Sequence, residues 1–247
     1  MLRDEPKKKN TGREGPPKEH TMDYKYEMHC HTGRISLCAK TEPKDLVRMY
    51  ADLGYSGLVL TDHYSPMTFW DRRLFKAREM AEFYLTAYRE LKDYGGDGFT
   101  VMLGMELRHY ATVNDYLIYG VEEEWLGKQP NMLNWGMKKR FEEAHKAGYL
   151  LFQAHPYRPF IHRCNPDYID GIEIWNGHTP KAANEKAGAW ARETGKLIVS
   201  GGDCHSLTDN SHGGIITHAP IKNNADLLDV LSRQDFTPIP IYKPERA

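Results

Sequence analysis

Short apolar runs alternate along this chain with longer stretches of helical period, and no other feature limits the fold as much. The runs read as strands at Tyr24–Cys30, Gly57–Thr61, Phe99–Leu107, Asp115–Val121, Tyr149–Ala154, Gly171–Trp175 and Lys196–Ser200. Between and after them, apolar residues recur at three- and four-residue steps in Pro43–Leu53, Asp71–Tyr94, Asn131–Ala147, Pro180–Thr194 and Ala225–Arg233, which is the period of a helix with one buried face. Pro43 suits a first helical turn and Gly54 a C-terminal cap, and Gly95, Gly148 and Gly195 close the other stretches in the same way. Strands separated by helices pair in parallel, because a crossover helix is how parallel strands are joined. The connection from Phe99–Leu107 to Asp115–Val121 is too short for a helix, so that second strand could run antiparallel. An open doubly wound sheet and a closed (β/α) barrel both fit.

At 247 residues the chain has the size of one large domain, with enough length for a buried core. Residues 1–21, rich in Lys, Glu, Gly and Pro, contain only Met1 and Leu2 as apolar residues, so they are expected to form a flexible tail ahead of a single domain over 22–247. The 33 Lys and Arg are balanced by 34 Asp and Glu, which excludes nucleic-acid binding by bulk positive charge. No run approaches the ~20 apolar residues of a membrane span, and four cysteines in this length are no disulfide framework. A soluble, cytoplasmic protein with no membrane partner is expected.

Histidine is abundant, at twelve, and its placement matters more than its number. The strand candidates run out into His29-Cys-His31, Thr61-Asp62-His63, Gly104-Met-Glu106, Ala154-His155-Pro156, Trp175-Asn176-Gly-His178 and Gly202-Asp203-Cys-His205. In α/β folds the C-terminal strand ends converge on the active site. A single histidine there is usually a cap or a satisfied core residue; a rim of them, with carboxylates among them, would leave buried acids and bases short of partners unless a cation sat between. Alternate strand residues share a face, so both rings of His29-x-His31 can reach one ion, and Asp203-x-His205 repeats the spacing. The set exceeds the three or four ligands of one tetrahedral zinc. It points to two or three divalent transition-metal ions, with a carboxylate such as Glu106 bridging; nitrogen and oxygen ligands suit zinc, manganese or iron.

This ordered set of motifs, spread over roughly residues 24 to 220, resembles the PHP family (polymerase and histidinol phosphatase). The resemblance implies a distorted (β/α)7, TIM-like barrel, up to three metal ions, and hydrolysis of phosphate esters. Carried over position by position, it implies that His29, His31, Glu106 and Asp203 hold one ion, that Glu106 bridges to a second also bound by His155, and that His63 and His205 face a third. The family usually supplies a further Asp or His five or six residues after the second motif histidine; Ser36 and Leu37 stand there, with Cys38 the nearest substitute. Around the fourth strand the chain offers Asn114, Asp115 and Glu122 as extra ligands where the family often has a histidine.

The expected activity is that of a metal-dependent phosphoesterase acting on a small phosphorylated substrate through metal-activated water. Arg158, three residues after His155, could hold the phosphoryl oxygens as a planar fork, with Arg34 a weaker candidate, and His205 or His63 could protonate the leaving group. Asn176 and His178 either line the pocket or cap the helix near Pro180. Cys30 and Cys204 lie between ligand candidates and so point to the opposite face, as small core residues, while His20, His109, His145 and His162 fall away from the strand ends. Phe83, Tyr84, Tyr88 and Tyr94 read as core at helical spacing, not as a base-stacking platform. Three other readings stand beside this one: a 3′–5′ exonuclease or oligonucleotide phosphodiesterase, a metal-dependent amide or lactone hydrolase, and a non-catalytic metal-binding PHP module. No polymerase-like segment accompanies the domain, and the charge is near neutral, so a nucleic-acid substrate is not favoured. The amide hydrolases usually bridge their metals through a modified lysine or other carboxylate, and no lysine lies at a suitable strand end.

Overall fold

A computed structural model describes residues 23–209 and 212–239; the tail expected over residues 1–21 lies outside them. Ten strands form one sheet: β1 (Tyr24–Cys30), β2 (Gly57–Leu60), β3 (His63–Tyr64), β4 (Thr100–Arg108), β5 (Asp115–Tyr119), β6 (Leu150–Gln153), β7 (Gly171–Asn176), β8 (Leu197–Gly201), β9 (Ile215–Thr217) and β10 (Thr237–Pro238). The helices among the described residues are α1 (Pro43–Asp52), α2 (Pro66–Trp70), α3 (Ala77–Gly95), α4 (Glu123–Lys128), α5 (Met137–Lys146), α6 (Lys181–Thr194) and α7 (Asn224–Arg233). Along the sheet the order is β10-β9-β1-β2-β4-β5-β6-β7-β8, with β3 paired to β4. Strands β1, β2 and β4 run parallel, as do β6, β7 and β8; β5 is antiparallel to both of its neighbours, and β9 to β1.

The sheet curls almost into a closed barrel. Cys30 bridges Cys204 just beyond β8, His31 N–H donates to the Cys204 carbonyl at 3.0 Å, and Asp203 N–H donates to the His29 carbonyl at 2.6 Å. Of the two arrangements the sequence left open, the barrel is the one formed, in a single domain.

The strand residues divide by parity. Leu58, Leu60, Leu103, Met105, Ile118, Leu151 and Ile172 pack outward against Leu46 and Tyr50 of α1, Tyr84, Leu85 and Leu91 of α3, Ala144 of α5, and Ala187 and Trp190 of α6. Their alternates Val59, Met102, Leu117, Phe152 and Val199 form a second cluster inside the barrel, continued by Leu227 and Leu231 of α7. Helix α7 closes the end opposite the strand C-termini, where Asn224 donates to the Val121 carbonyl at 2.7 Å. The other mouth, at the C-terminal ends of the parallel strands, carries the polar residues. Among the described residues no helix is long and apolar enough to cross a membrane.

Candidate active site

In the middle of β1, Glu27 fixes the exits of two strands. Its Oε1 accepts the N–H groups of Met28 and His29 at 2.9 Å and of Gly202 at 2.6 Å, while its Oε2 accepts from Tyr50 Oη at 3.1 Å. This ties β1 to the turn after β8, so His29, His31, Asp203 and His205 meet although the chain separates them by more than 170 residues. Gly201 makes the approach feasible: a Cβ there would lie 2.3 Å from His29 Cβ and 2.8 Å from Glu173 Oε1.

Glu173, in the interior of β7, sets the direction of His29. Its Oε1 lies 2.8 Å from His29 Nδ1, which turns Nε2 towards Glu106 Oε1 and Asp203 Oδ1, each 3.5 Å away. A carboxylate behind an imidazole fixes the tautomer that leaves the far nitrogen as a metal ligand. His31 Nε2 lies 3.0 Å from Asp203 Oδ1 and 3.5 Å from Glu106 Oε2. Glu106 also meets His63 Nδ1 at 2.6 Å and His155 Nε2 at 3.0 Å. His205 Nδ1 lies 2.8 Å from the Asp203 carbonyl, an acceptor that keeps Nδ1 protonated and leaves Nε2 with a lone pair.

Two of these residues sit in left-handed backbone, His155 at φ 28° and Asp203 at φ 57°. Non-glycine residues adopt that region when the surroundings hold them there. Here the Glu173 carboxylate accepts from His155 N–H at 2.9 Å, and the β1 carbonyl of His29 accepts from Asp203 N–H.

All seven candidate ligands inferred from the sequence thus come to one rim. They fall into groups whose ligating atoms lie within 4.8 Å of one another: His29, His31 and Asp203; His29, Glu106 and His155; His31, His63 and His205; and His63, Glu106 and Asp115. The donor chemistry fits divalent cations. His29 Nε2, His63 Nδ1 and Glu106 Oε2 are buried atoms that face the cluster without a well-directed hydrogen bond, the last two in contact with each other at 2.6 Å, an arrangement that costs free energy unless a cation joins them.

Electrostatics agree. Burial raises and the surrounding imidazoles lower the Glu106 and Asp203 carboxyls; the imidazoles prevail and hold both well below the usual range. Burial lowers His29, yet Glu173, Asp203 and Glu106 hold it well above its ordinary value; His31 is driven well below by burial and by His205 and His63.

Ser36, at the position where a further acid was expected, links three segments by hydrogen bonds instead. Its Oγ donates to Asp62 Oδ1 at 2.6 Å, accepts from His63 N–H at 3.0 Å and lies 3.3 Å from His31 Nδ1. Asp62 also accepts from Thr32 N–H and Oγ1, and burial outweighs these bonds to push its carboxyl up to about 6. Asp115 reaches the rim because β5 starts there, with Oδ2 3.9 Å from His155 Nε2. Glu122, weighed with it as an extra ligand, lies past the other end of β5, since that strand is antiparallel; it accepts from Asn224 of α7 at 2.9 Å.

A cavity of about 350 Å³ opens beside the cluster, lined by His63, His205, Cys38, Arg108 and Arg158 among others. Arg158 is no loose surface side chain: it pairs with Asp203 Oδ2 and donates to Asn176 Oδ1 at 2.9 Å. Arg34, the weaker candidate, pairs with Glu90 at 3.0 Å instead. Arg108, which the sequence reading passed over, forks onto both oxygens of Asp115, with Nε at 2.6 Å from Oδ1. Asn176 serves as a brace, donating to Glu173 at 3.0 Å and Asp203 at 3.1 Å, and His178 lies 2.6 Å from Asp209. Cys30 and Cys204 are buried in the outer core. Tyr84 and Tyr88 are buried as expected, whereas Tyr94 is exposed.

A near-closed α/β barrel whose strand ends gather histidines and carboxylates into metal-sized groups places the chain among distorted TIM-type barrels with a candidate metal centre at the strand C-termini. Within that class the sequence profile of the PHP domain matches residues 27–211, and the chain belongs to the PHP domain family. No curated protein matches the sequence. Among solved structures, the chain is similar to a two-domain protein from Bacteroides vulgatus containing a predicted PHP-like metal-dependent phosphoesterase. That likeness has 17% identity and a TM-score of 0.63, covering 88% of this chain but only 65% of the other. It is also similar to endonuclease Q in complex with duplex DNA bearing an abasic lesion, with 12% identity and a TM-score of 0.60 over 86% of this chain and 57% of the other. An amidohydrolase from Chromobacterium violaceum with bound sulfate aligns at 15% identity and a TM-score of 0.51, over 83% of this chain and 96% of the other. These likenesses show the fold.

Proposed function

We propose that the protein is a metal-dependent phosphoesterase that hydrolyses a small phosphate ester. The observation carrying this reading is one rim that joins metal-sized groups of imidazoles and carboxylates to a cavity faced by two guanidiniums, Arg108 and Arg158. His29, His31, Glu106 and Asp203 would hold one zinc, manganese or iron ion, Glu106 and His155 with Asp115 a second, and His63 and His205 with His31 a third. Such ions supply Lewis acidity, lowering the pKa of water and neutralising phosphoryl charge.

The chain's own groups do the rest. Arg158, anchored by Asn176, presents a planar fork to the phosphoryl oxygens, which matches their geometry better than an ammonium would. Arg108, held against Asp115, adds a second positive charge to the cavity lining. Glu173 keeps His29 turned and braces the backbone of His155, so the ligands are positioned before substrate arrives. His205, with Nδ1–H held by the Asp203 carbonyl, would take a second proton on Nε2 when only two ions are bound and pass that proton to the leaving oxygen.

The test is a panel of phosphomonoesters, short oligonucleotides, amides and lactones, run with protein reconstituted in Mn, Zn or Fe. Phosphomonoester turnover, abolished by Glu106→Gln in a protein that keeps its far-UV circular dichroism, is the expected result. Amide or lactone hydrolysis without phosphate release overturns the reading.

A further inference from the structure

The polar cavity has an apolar lip. Among the described residues, every exposed large hydrophobic side chain except Leu53 and Tyr94 lies in a segment at the C-terminal mouth of the barrel. Leu37 follows β1, Met67 and Trp70 lie on α2 and Phe75 just after it, Tyr110 and Val113 join β4 to β5, Phe160 follows β6, and Leu207 follows β8. Leu37 and Met67, 48% and 64% exposed, line the cavity itself. Trp70 is one helical turn from Met67, on the same side of α2, and its ring stacks on Tyr110 with centroids 5.3 Å apart and planes 28° from parallel. Phe160 is 85% exposed and sits at φ 70°, a conformation unfavourable for a bulky side chain. The same turn carries Arg158 inward.

We infer that this lip selects the alcohol half of the substrate: the ester taken is a small phosphomonoester whose organic part is apolar and ring-bearing, seated on Leu37, Met67 and the Trp70–Tyr110 stack. The inference rests on the phosphoesterase reading above and adds the substrate class. The cluster and the two arginines account for the phosphoryl group, and the hydroxyls beside Met67 are already committed: Ser65 Oγ lies 3.0 Å from Thr68 Oγ1, which donates to the His63 carbonyl at 2.8 Å. Apolar side chains left in water around a mouth are the usual mark of a ligand surface, and methionine beside aromatic rings adapts to a flat apolar partner. The cavity volume, about 350 Å³, is at the scale of a small molecule. A nucleic-acid strand fits less well because three of the cations near the lip are already engaged. Arg72 donates to the Thr68 carbonyl at 3.0 Å and lies over the Phe83 ring, Arg34 pairs with Glu90, and Lys76 pairs with Glu79.

The experiment compares kcat/KM for 2-phenylethyl phosphate and glycerol 3-phosphate, both primary alkyl esters with leaving groups of similar basicity, so the chemistry cancels in the ratio. The wild-type protein should favour the phenylethyl ester by about tenfold or more. Met67→Gln should cut that ratio about fivefold, the expected effect of losing some 40 Å² of apolar contact, and Leu53→Gln, at an exposed apolar site far from the mouth, should leave the ratio alone. Both esters turned over with a ratio near one, or a ratio unmoved by Met67→Gln, refutes the lip while leaving the phosphoesterase reading intact. A short oligothymidylate outcompeting both esters refutes it in favour of nucleic acid. Turnover of no phosphate ester refutes both readings together.

Discussion

Arg158→Ala separates substrate recognition from metal binding, because the two oxygens of Asp203 are divided between them. Oδ1 faces His31 at 3.0 Å and His29 at 3.5 Å. Oδ2 is the oxygen paired with Arg158, and it also accepts from Asn176 at 3.1 Å. Removing the guanidinium therefore leaves Asp203 braced by Asn176 and leaves its metal-facing oxygen in place. The loss should fall on the phosphoryl group. A charge-assisted contact contributes about 1.5–3 kcal/mol, and at 1.36 kcal/mol per decade this becomes about a ten- to 150-fold drop in kcat/KM. Arg158→Lys should recover part of it, since an ammonium keeps the charge but not the planar fork. The assay is steady-state kinetics on the best phosphomonoester of the panel, with elemental analysis of the same samples. A full-rate alanine variant would leave phosphate recognition to the rest of the site, and a variant that lost its metal would show that Arg158 supports the ligands instead.

Two further perturbations test the surroundings of the cluster. Glu173→Gln removes the carboxylate behind His29 and should weaken metal binding about 10- to 100-fold in competition with a chelator; unchanged affinity would mean that His29 is oriented by something else. Burial raises the Cys38 thiol, but the His205 and His63 imidazoles beside it prevail and lower it to about 6. In metal-free protein its alkylation by iodoacetamide should therefore rise with pH through about 6 and level off near neutrality, whereas a rate still climbing towards pH 9 would contradict that pairing.

The repeating elements were legible because their signals are local. Tyr24–Cys30 is a strand with the expected bounds, and β5 does reverse direction as its short connection implies. The expected helix from Asp71 to Tyr94 starts only at Ala77. Ahead of it Pro66 opens the separate α2, and Arg73 at φ 55° breaks the continuity between them. The cap expected at Gly95 falls at Gly96, which takes the positive φ. Strands β3, β9 and β10, two or three residues long, are set by pairing to distant strands and leave no periodic trace.

The rim of the site was legible for a related reason: strand ends in one sheet share a face, so His29, Glu106, His155 and Asp203 could be grouped without knowing distances. Residues that act from behind gave no such mark. Glu173 lies inside an apolar strand rather than at its end, and the signal available was its charge in Gly-Ile-Glu-Ile-Trp. Arg108 looks like an ordinary polar strand terminus until Asp115 is seen opposite it. Ser36 could be identified as a departure from the family pattern, but not as the hydroxyl joining Asp62, His31 and the His63 backbone.

Metal stoichiometry tests the central claim most directly. Protein purified and reconstituted with Zn, Mn or Fe should hold at least two ions per chain, because the groups built on His29, His31, Glu106, His155 and Asp203 supply more ligands than one ion uses. Glu106→Gln, which keeps the shape but removes the charge shared between two groups, should hold fewer. Fewer than one ion per chain in the reconstituted wild-type protein would contradict the metal cluster and the reaction proposed for it.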